Sequence, residues 1–241
     1  HGQTDDFLDD FEIQDLKKKG ATGTALVIPF PHEDITKDNN HFEQIKAALV
    51  ENYAPLIIRQ ELEPWSGGQK LDDKTINQIA SNVKDYFVRE DFKENGDEFI
   101  AFCREAIYDL EANQGVIELD LDEKCDLEGL VLPDQLKQDI AEKLIKDERI
   151  LFKINFPLVK NGKKEDTYIE AAFCRPSSDS QGNYLQGVEV YYRNGMSMMA
   201  QDRYLKSSNF HASLFCKDPA ISTYLNIWED EGHSRWTEGN N

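Results

Sequence analysis

The sequence predicts an α+β fold: a helix-rich middle segment, a mostly antiparallel C-terminal sheet and a short closing helix. Three observations carry this. Between residues 42 and 144 apolar side chains recur at helical spacing in four stretches. After Arg149 the period shortens, and the runs ILFKINFPLV, TYIEAAFCR, GVEVYYR and HASLFC are separated by polar turns. The two kinds of segment are grouped in sequence rather than alternating, which argues against a doubly wound parallel sheet.

The elements follow in order. Residues 25–30 form an unbroken apolar run after GATG, read as a tight turn into a buried strand ended by Pro29 and Pro31. Asn39 or Asn40 is placed to cap a helix carrying Phe42, Ile45, Leu49 and Tyr53, which Pro55 is expected to stop. Residues 56–63 read as a strand closed by the turn PWSGGQ. Asp72 or Asp73 then caps a helix with Ile76, Ile79, Val83 and Phe87 on one face. EDFKENGDE reads as a polar break around Gly96, before a helix lined by Phe99, Cys103, Ile107 and Leu110. VIELDL alternates as a half-buried strand, and Pro133 opens a helix with Leu136, Ile140 and Leu144. NGKKED and PSSDSQGN are hairpin signals, Asn194-Gly195 a two-residue turn, and Asp218-Pro219 the start of the closing helix, with Ile221, Tyr224, Leu225 and Trp228 on its apolar side.

Composition narrows the function. The chain has 241 residues, 39% of them hydrophobic, enough for a sizeable core. Its formal charge of −19 repels phosphate backbones and anionic lipid, which disfavours nucleic-acid or membrane binding. Cys103, Cys125, Cys174 and Cys216 form no CxxC and stand at no metal spacing from a His, so reduced, buried thiols in a cytoplasmic protein are expected. No Walker loop, GxSxG, HExxH or dinucleotide fingerprint occurs.

Two clusters stand out. In WEDEGHSRW, Glu229, Glu231 and His233 offer two carboxylates and an imidazole to a metal. The same segment also reads as a C-terminal cap in which Trp228 and Trp236 pack, and a single His favours that reading. In VEVYYRNGMSMM, Val188, Val190 and Tyr192 alternate with Glu189, Tyr191 and Arg193, as in a half-exposed strand. Met196, Met198 and Met199, all the methionines of the chain, follow as an adaptable apolar patch.

The stretch TGTALVIPFPHEDITKDNNHFEQIKAALVENYAPLII resembles the end of a GHKL-type ATPase domain, the nucleotide fold of gyrase, heat-shock chaperone ATPases, histidine kinases and MutL, together with its exit into the next domain. In that resemblance Gly23 and Thr24 are the pair opening the last sheet strand, residues 25–30 are the strand, and residues 41–53 are the exit helix. The C-terminal part is similar to a bacterial set of uncharacterised GHKL proteins, through Arg193, Gly195 and Met196 and then Glu229, His233 and Trp236. The early helix with Glu and Asn and the DxGxG loop of the family are not in the chain, and Glu51 and Asn52 follow the Gly-Thr strand instead of preceding it.

The resemblance implies three regions: residues 1–31 as the tail of a nucleotide-binding domain, 32–147 as a helix-rich transducer-like region, and 148–241 as a β-rich region. It implies a non-catalytic transducer and interaction region of a larger ATPase, inactive alone. Thr24 and Gly23 would lie on the adenine side of a nucleotide only with the upstream domain, which would bring ATP and magnesium. The expected partners are that upstream domain, a second copy or another protein, met through Arg193, Met196, Met198 and Met199. The alternatives are a free-standing acidic protein-binding module and a metal-dependent enzyme using Glu229, Glu231 and His233.

Overall fold

A computed structural model describes residues 41–122, 132–160, 163–178, 180, 182, 184–198 and 209–227. The chain divides into two compact units, residues 1–41 and residues 42–241, and nearly everything described belongs to the second. The fold is α+β, with helices on one face of a mixed, mostly antiparallel sheet and a short helix at the end.

Helix α1 spans His41–Ile58 and is kinked at Tyr53 (φ −130°, ψ 15°). Pro55 does not stop it. The kink leaves Pro55 in the first turn of a second helical segment, where its missing N–H costs little. Residues 56–63 are therefore not a strand. Glu61 N–H donates to Leu56 O at 2.9 Å and Gln60 N–H to Ile57 O at 3.1 Å, with Gln60 left-handed at φ 59°, a Schellman cap. Leu56, Ile57 and Ile58 are apolar and partly β-branched, a run whose period alone does not separate helix from strand.

The buried stripe of α1 is also displaced from the expected one. Phe42 and Ile45 are 44% and 47% exposed, whereas Ala47, Val50 and Ala54 are buried. Two small alanines allow close approach to the neighbouring elements. Leu49 and Tyr53 pack at the margin of the core.

Strands β1 (Trp65–Ser66) and β2 (Gln69–Lys70) form the expected turn, with Gly67 and Gly68 at φ 59° and 75°. Asp72 Oδ1 accepts Thr75 N–H at 3.0 Å ahead of α2 (Ile76–Asn82). A 3-10 turn, Lys84–Tyr86, then carries the apolar face on, so that Ile76, Ile79, Val83 and Phe87 are all buried.

Helix α3 spans Glu90–Glu111 and runs through the segment expected as a polar break. Asn95 (φ −136°) kinks it, and its Nδ2 donates to Gln186 O at 2.7 Å. Phe92 anchors this turn, and a methyl group at Gly96 would lie 2.9 Å from Phe92 Cδ1. The polar residues of EDFKENGDE do not interrupt the helix: Glu90 and Glu94 are exposed, while Asp91 and Asn95 are buried beside Phe92 and Gly96.

Strand β3 (Val116–Asp120), helix α4 (Asp134–Ile145) and strand β4 (Ile150–Lys160) form a βαβ unit, with β3 parallel to β4. Strand β5 (Lys163–Cys174) returns antiparallel to β4. Strands β6 (Glu189–Arg193), β7 (Met196–Met198) and β8 (His211–Cys216) complete a sheet ordered β3-β4-β5-β8-β6-β7. PSSDSQGN is thus no hairpin between neighbours, because β8 lies between β5 and β6. Helix α5, Pro219–Ile227, closes the described chain.

The row Leu151, Ala172, Ser213, Val190 faces the helices, and one core joins it to residues of α1, α2 and α3. Phe152, Ala171, Leu214, Tyr191 and Met198 form the corresponding row on the other face. Strand β6 is less exposed than its alternation implied, since Glu189 and Arg193 are buried along with Val190 and Tyr192. Among the described residues no helix is long and apolar enough to cross a membrane.

Candidate functional site

Strands β3, β4, β6 and β8 run in one direction, so their carboxyl ends gather at one end of the sheet. The first half of β5 crosses that end and places Tyr168 beside Asn155, which in turn pairs with Asp120. Asn155 Nδ2 donates to Asp120 Oδ1 at 3.0 Å, and Lys153 Nζ sits 4.7 Å from the centre of the Tyr168 ring.

Tyr168 lines two cavities. One, of about 520 Å³, is walled by Asp120, Asp122, Asn155, Lys164 and Asp166. The other, of about 410 Å³, lies between the end of α1 (Arg59, Glu61), the β6–β7 turn (Asn194, Gly195) and the β8–α5 junction (Lys217, Asp218, Pro219).

The second cavity is the more elaborately built. The Schellman cap ends α1 at Arg59, whose Nε donates to Glu111 Oε1 at 2.8 Å and whose guanidinium lies 5.8 Å from the Phe215 ring centre. Lys217 Nζ pairs at 3.0 Å with the buried Glu170. Asp218 caps α5: its Oδ1 accepts Ala220 N–H at 3.1 Å and the Thr167 hydroxyl. Burial, and then the charges of Glu170 and Asp218, raise the Tyr168 phenol above its usual range, with Arg59 opposing. Tyr168 therefore stays neutral and can both donate and accept. The cavity offers fixed cationic donors beside fixed carboxylate acceptors, a binding chemistry rather than a nucleophilic one.

A separate polar group lies inside the core. Val188 N–H donates to His211 Nδ1 at 3.1 Å, which places the ring proton on Nε2, 3.8 Å from Glu98 Oε1. Glu98 accepts Ser177 N–H at 2.7 Å and its hydroxyl at 3.0 Å. Cys103 Sγ and Ser213 Oγ meet at 3.0 Å. His211 itself has no exposed surface, while Glu98 is partly exposed and Ser177 exposed, so this arrangement ties the sheet to α3 and runs from the core to the surface. Cys103, Cys174 and Cys216 are free thiols, each pushed up to about 12, above all by burial, and so are not nucleophiles.

The residues singled out from sequence fall as follows. Arg193 and Met198 are buried and Met196 is half-buried in the β6–β7 hairpin, where Met196 partners Arg193 and Met198 partners Tyr191. Met199, Gly23, Thr24, Glu229, Glu231, His233, Trp228, Trp236 and Cys125 lie outside the described residues, as does the strand expected at 25–30. Among the described residues no group of three or more His, Cys, Asp or Glu side chains is placed to hold a metal. Arg59, Tyr168 and Lys217 were not singled out by sequence reasoning. The only local signal near them is the Asp218-Pro219 helix start. Comparison with family models, with curated proteins and with solved structures finds no match.

Proposed function

We propose that this chain is a non-catalytic transducer and interaction region of a larger GHKL-like ATPase. The observation that carries the reading is the joint between α1 and the β6–β7 hairpin. In the resemblance, α1 is the helix that leaves the nucleotide domain. Its Asn52 Oδ1 accepts the Ser197 hydroxyl at 2.7 Å, and its Leu56 packs on Gly195. A displacement of α1 would therefore be passed to the hairpin holding Arg193, Met196 and Met198. Among the described residues β7 is an edge strand, a position suited to pairing with a partner.

In this reading ATP and magnesium belong to the upstream domain, next to Gly23 and Thr24, and the protein works in the cytoplasm. The test is amide exchange of the full-length parent protein with and without ATP and magnesium. ATP should change protection in residues 189–198, and Asn52→Ala should diminish that change while leaving nucleotide binding intact. Protection at 189–198 that ignores ATP would refute the transducer role. The hairpin and the acidic surface would then favour a free-standing protein-binding module.

A further inference from the structure

We infer that His211 is an acid-sensitive latch, whose protonation releases Val188 and the start of β6 from the core. The ring is wholly buried and packs against Phe99 and Phe102, at 5.6 and 5.9 Å between ring centres. A neutral imidazole has one acceptor nitrogen. Here it is Nδ1, and it holds Val188 N–H at 3.1 Å. Nε2 carries the proton and has no acceptor within hydrogen-bond reach, with Glu98 Oε1 lying 3.8 Å away. Protonation turns Nδ1 into a donor. Two N–H groups then face each other, and the buried Val188 N–H is left without an acceptor, a costly state. The imidazolium is at the same time drawn toward the Glu98 carboxylate. A single proton thus breaks the bond to the strand and strengthens the bond to α3.

The proton has a route. The Glu98 side chain is 33% exposed, and Ser177, which donates to it, is exposed, so this carboxylate reaches from the buried ring to the surface. The surrounding groups do not substitute for it. Cys103 on α3 and Cys174, the register partner of His211 on β5, are thiols pushed up to about 12 and stay neutral. Arg149, whose charge reaches Cys174, is paired with Glu105 and Asp109. Arg175 lies over the Tyr184 and Phe210 rings. Glu189 belongs to the row of Tyr191, on the other face of the sheet, and accepts the Tyr191 hydroxyl. Glu98 is therefore the carboxylate that answers the imidazolium. On either side of Val188 the chain stays tied, by Asn95 Nδ2 to Gln186 O at 2.7 Å and by Arg89 Nη2 to Glu189 O at 2.8 Å. The loosening is confined to the junction that leads into the β6–β7 hairpin. The latch uses only residues of this chain and stands independently of any upstream ATPase domain.

NMR on the 241-residue chain between pH 7.5 and pH 5 tests it. Imidazole nitrogen signals read the protonation of His211, and amide exchange, corrected for its intrinsic pH dependence, reads Val188. As both ring nitrogens become protonated, Val188 should lose protection at least tenfold, while Ile107 in the buried face of α3 keeps its own. His211→Asn offers Val188 a carbonyl acceptor that does not titrate, so its Val188 protection should be flat across the same range. If His211→Asn fails to fold, Glu98→Gln decides: it keeps the ring and removes the answering charge, so the loss at Val188 should move to lower pH. Overturning results are a His211 that stays neutral wherever the fold persists, Val188 and Ile107 losing protection together, a loss that survives in folded His211→Asn, or one that Glu98→Gln does not move.

Discussion

Leu56 fills the space that a side chain at Gly195 would need: a methyl group there would lie 2.4 Å from Leu56 Cγ. Gly195 also has φ 78°, a conformation that L residues rarely adopt. The helix end and the hairpin turn are thus fitted to each other. Gly195→Ala should lose about 2–4 kcal/mol of stability from strain and overpacking together. Urea unfolding checks this. A double-mutant cycle with Leu56→Ala should show the pair less destabilised than the sum of the single changes.

Acid should act through Glu98, and Glu51 should act in the opposite sense. The facing His211 and the two donations from Ser177 hold Glu98 below its ordinary 4.5. The unfolded state then binds the proton more readily, so this contribution is present above about pH 4.5 and is lost as pH falls through the lowered folded value. Glu51 is raised above 4.5, chiefly by burial, so the folded state binds the proton more readily and stability falls as pH rises through its range. Glu98→Gln should flatten the acid limb of a stability–pH profile, and Glu51→Gln should raise stability at pH 7.

The three buried thiols should resist labelling. With values of about 12, Cys103, Cys174 and Cys216 hold almost no thiolate at pH 8. A disulfide-exchange reagent should leave them unmodified in the native protein, with any native labelling at Cys125. All four should react once the chain is unfolded in denaturant. Mass spectrometry of the labelled peptides reads the result.

Two expectations concern chemistry. The chain alone should not hydrolyse ATP, because the water-activating Glu and the magnesium-binding Asn of the GHKL pattern are missing from their places in it. A phosphate-release assay on the purified chain and on a point variant of it measures this. At the C terminus, Trp228→Ala should cost roughly 3–5 kcal/mol, while Glu231→Gln and His233→Gln should change stability by less than about 1 kcal/mol. Thermal melting with and without zinc or manganese checks the second part: a metal-dependent rise abolished by both polar substitutions would mark a ligand set.

By itself the sequence determined what local physics decides. Phe99, Cys103, Ile107 and Leu110 recur at helical spacing and are buried in α3, and Gly67-Gly68 and Asn194-Gly195 adopt the left-handed turns their residue types favour. It left open what depends on distant partners. Pro55 and Gly96 are breakers only where no neighbour compensates. Here a kink at Tyr53 accommodates Pro55, and the side chains of Phe87 and Phe92 close over Gly96. The rotation of α1 that exposes Ile45 and buries Ala47 follows from which helix face fits the core, a packing choice that periodicity cannot rank. The same holds for the cleft. Arg59, Tyr168 and Lys217 are far apart in the chain and each is unremarkable within its own segment, and the Asn194 turn gives no sign that it meets them. They meet because β8 inserts between β5 and β6 and brings four carboxyl ends together, and strand order is a non-local outcome that no single stretch encodes.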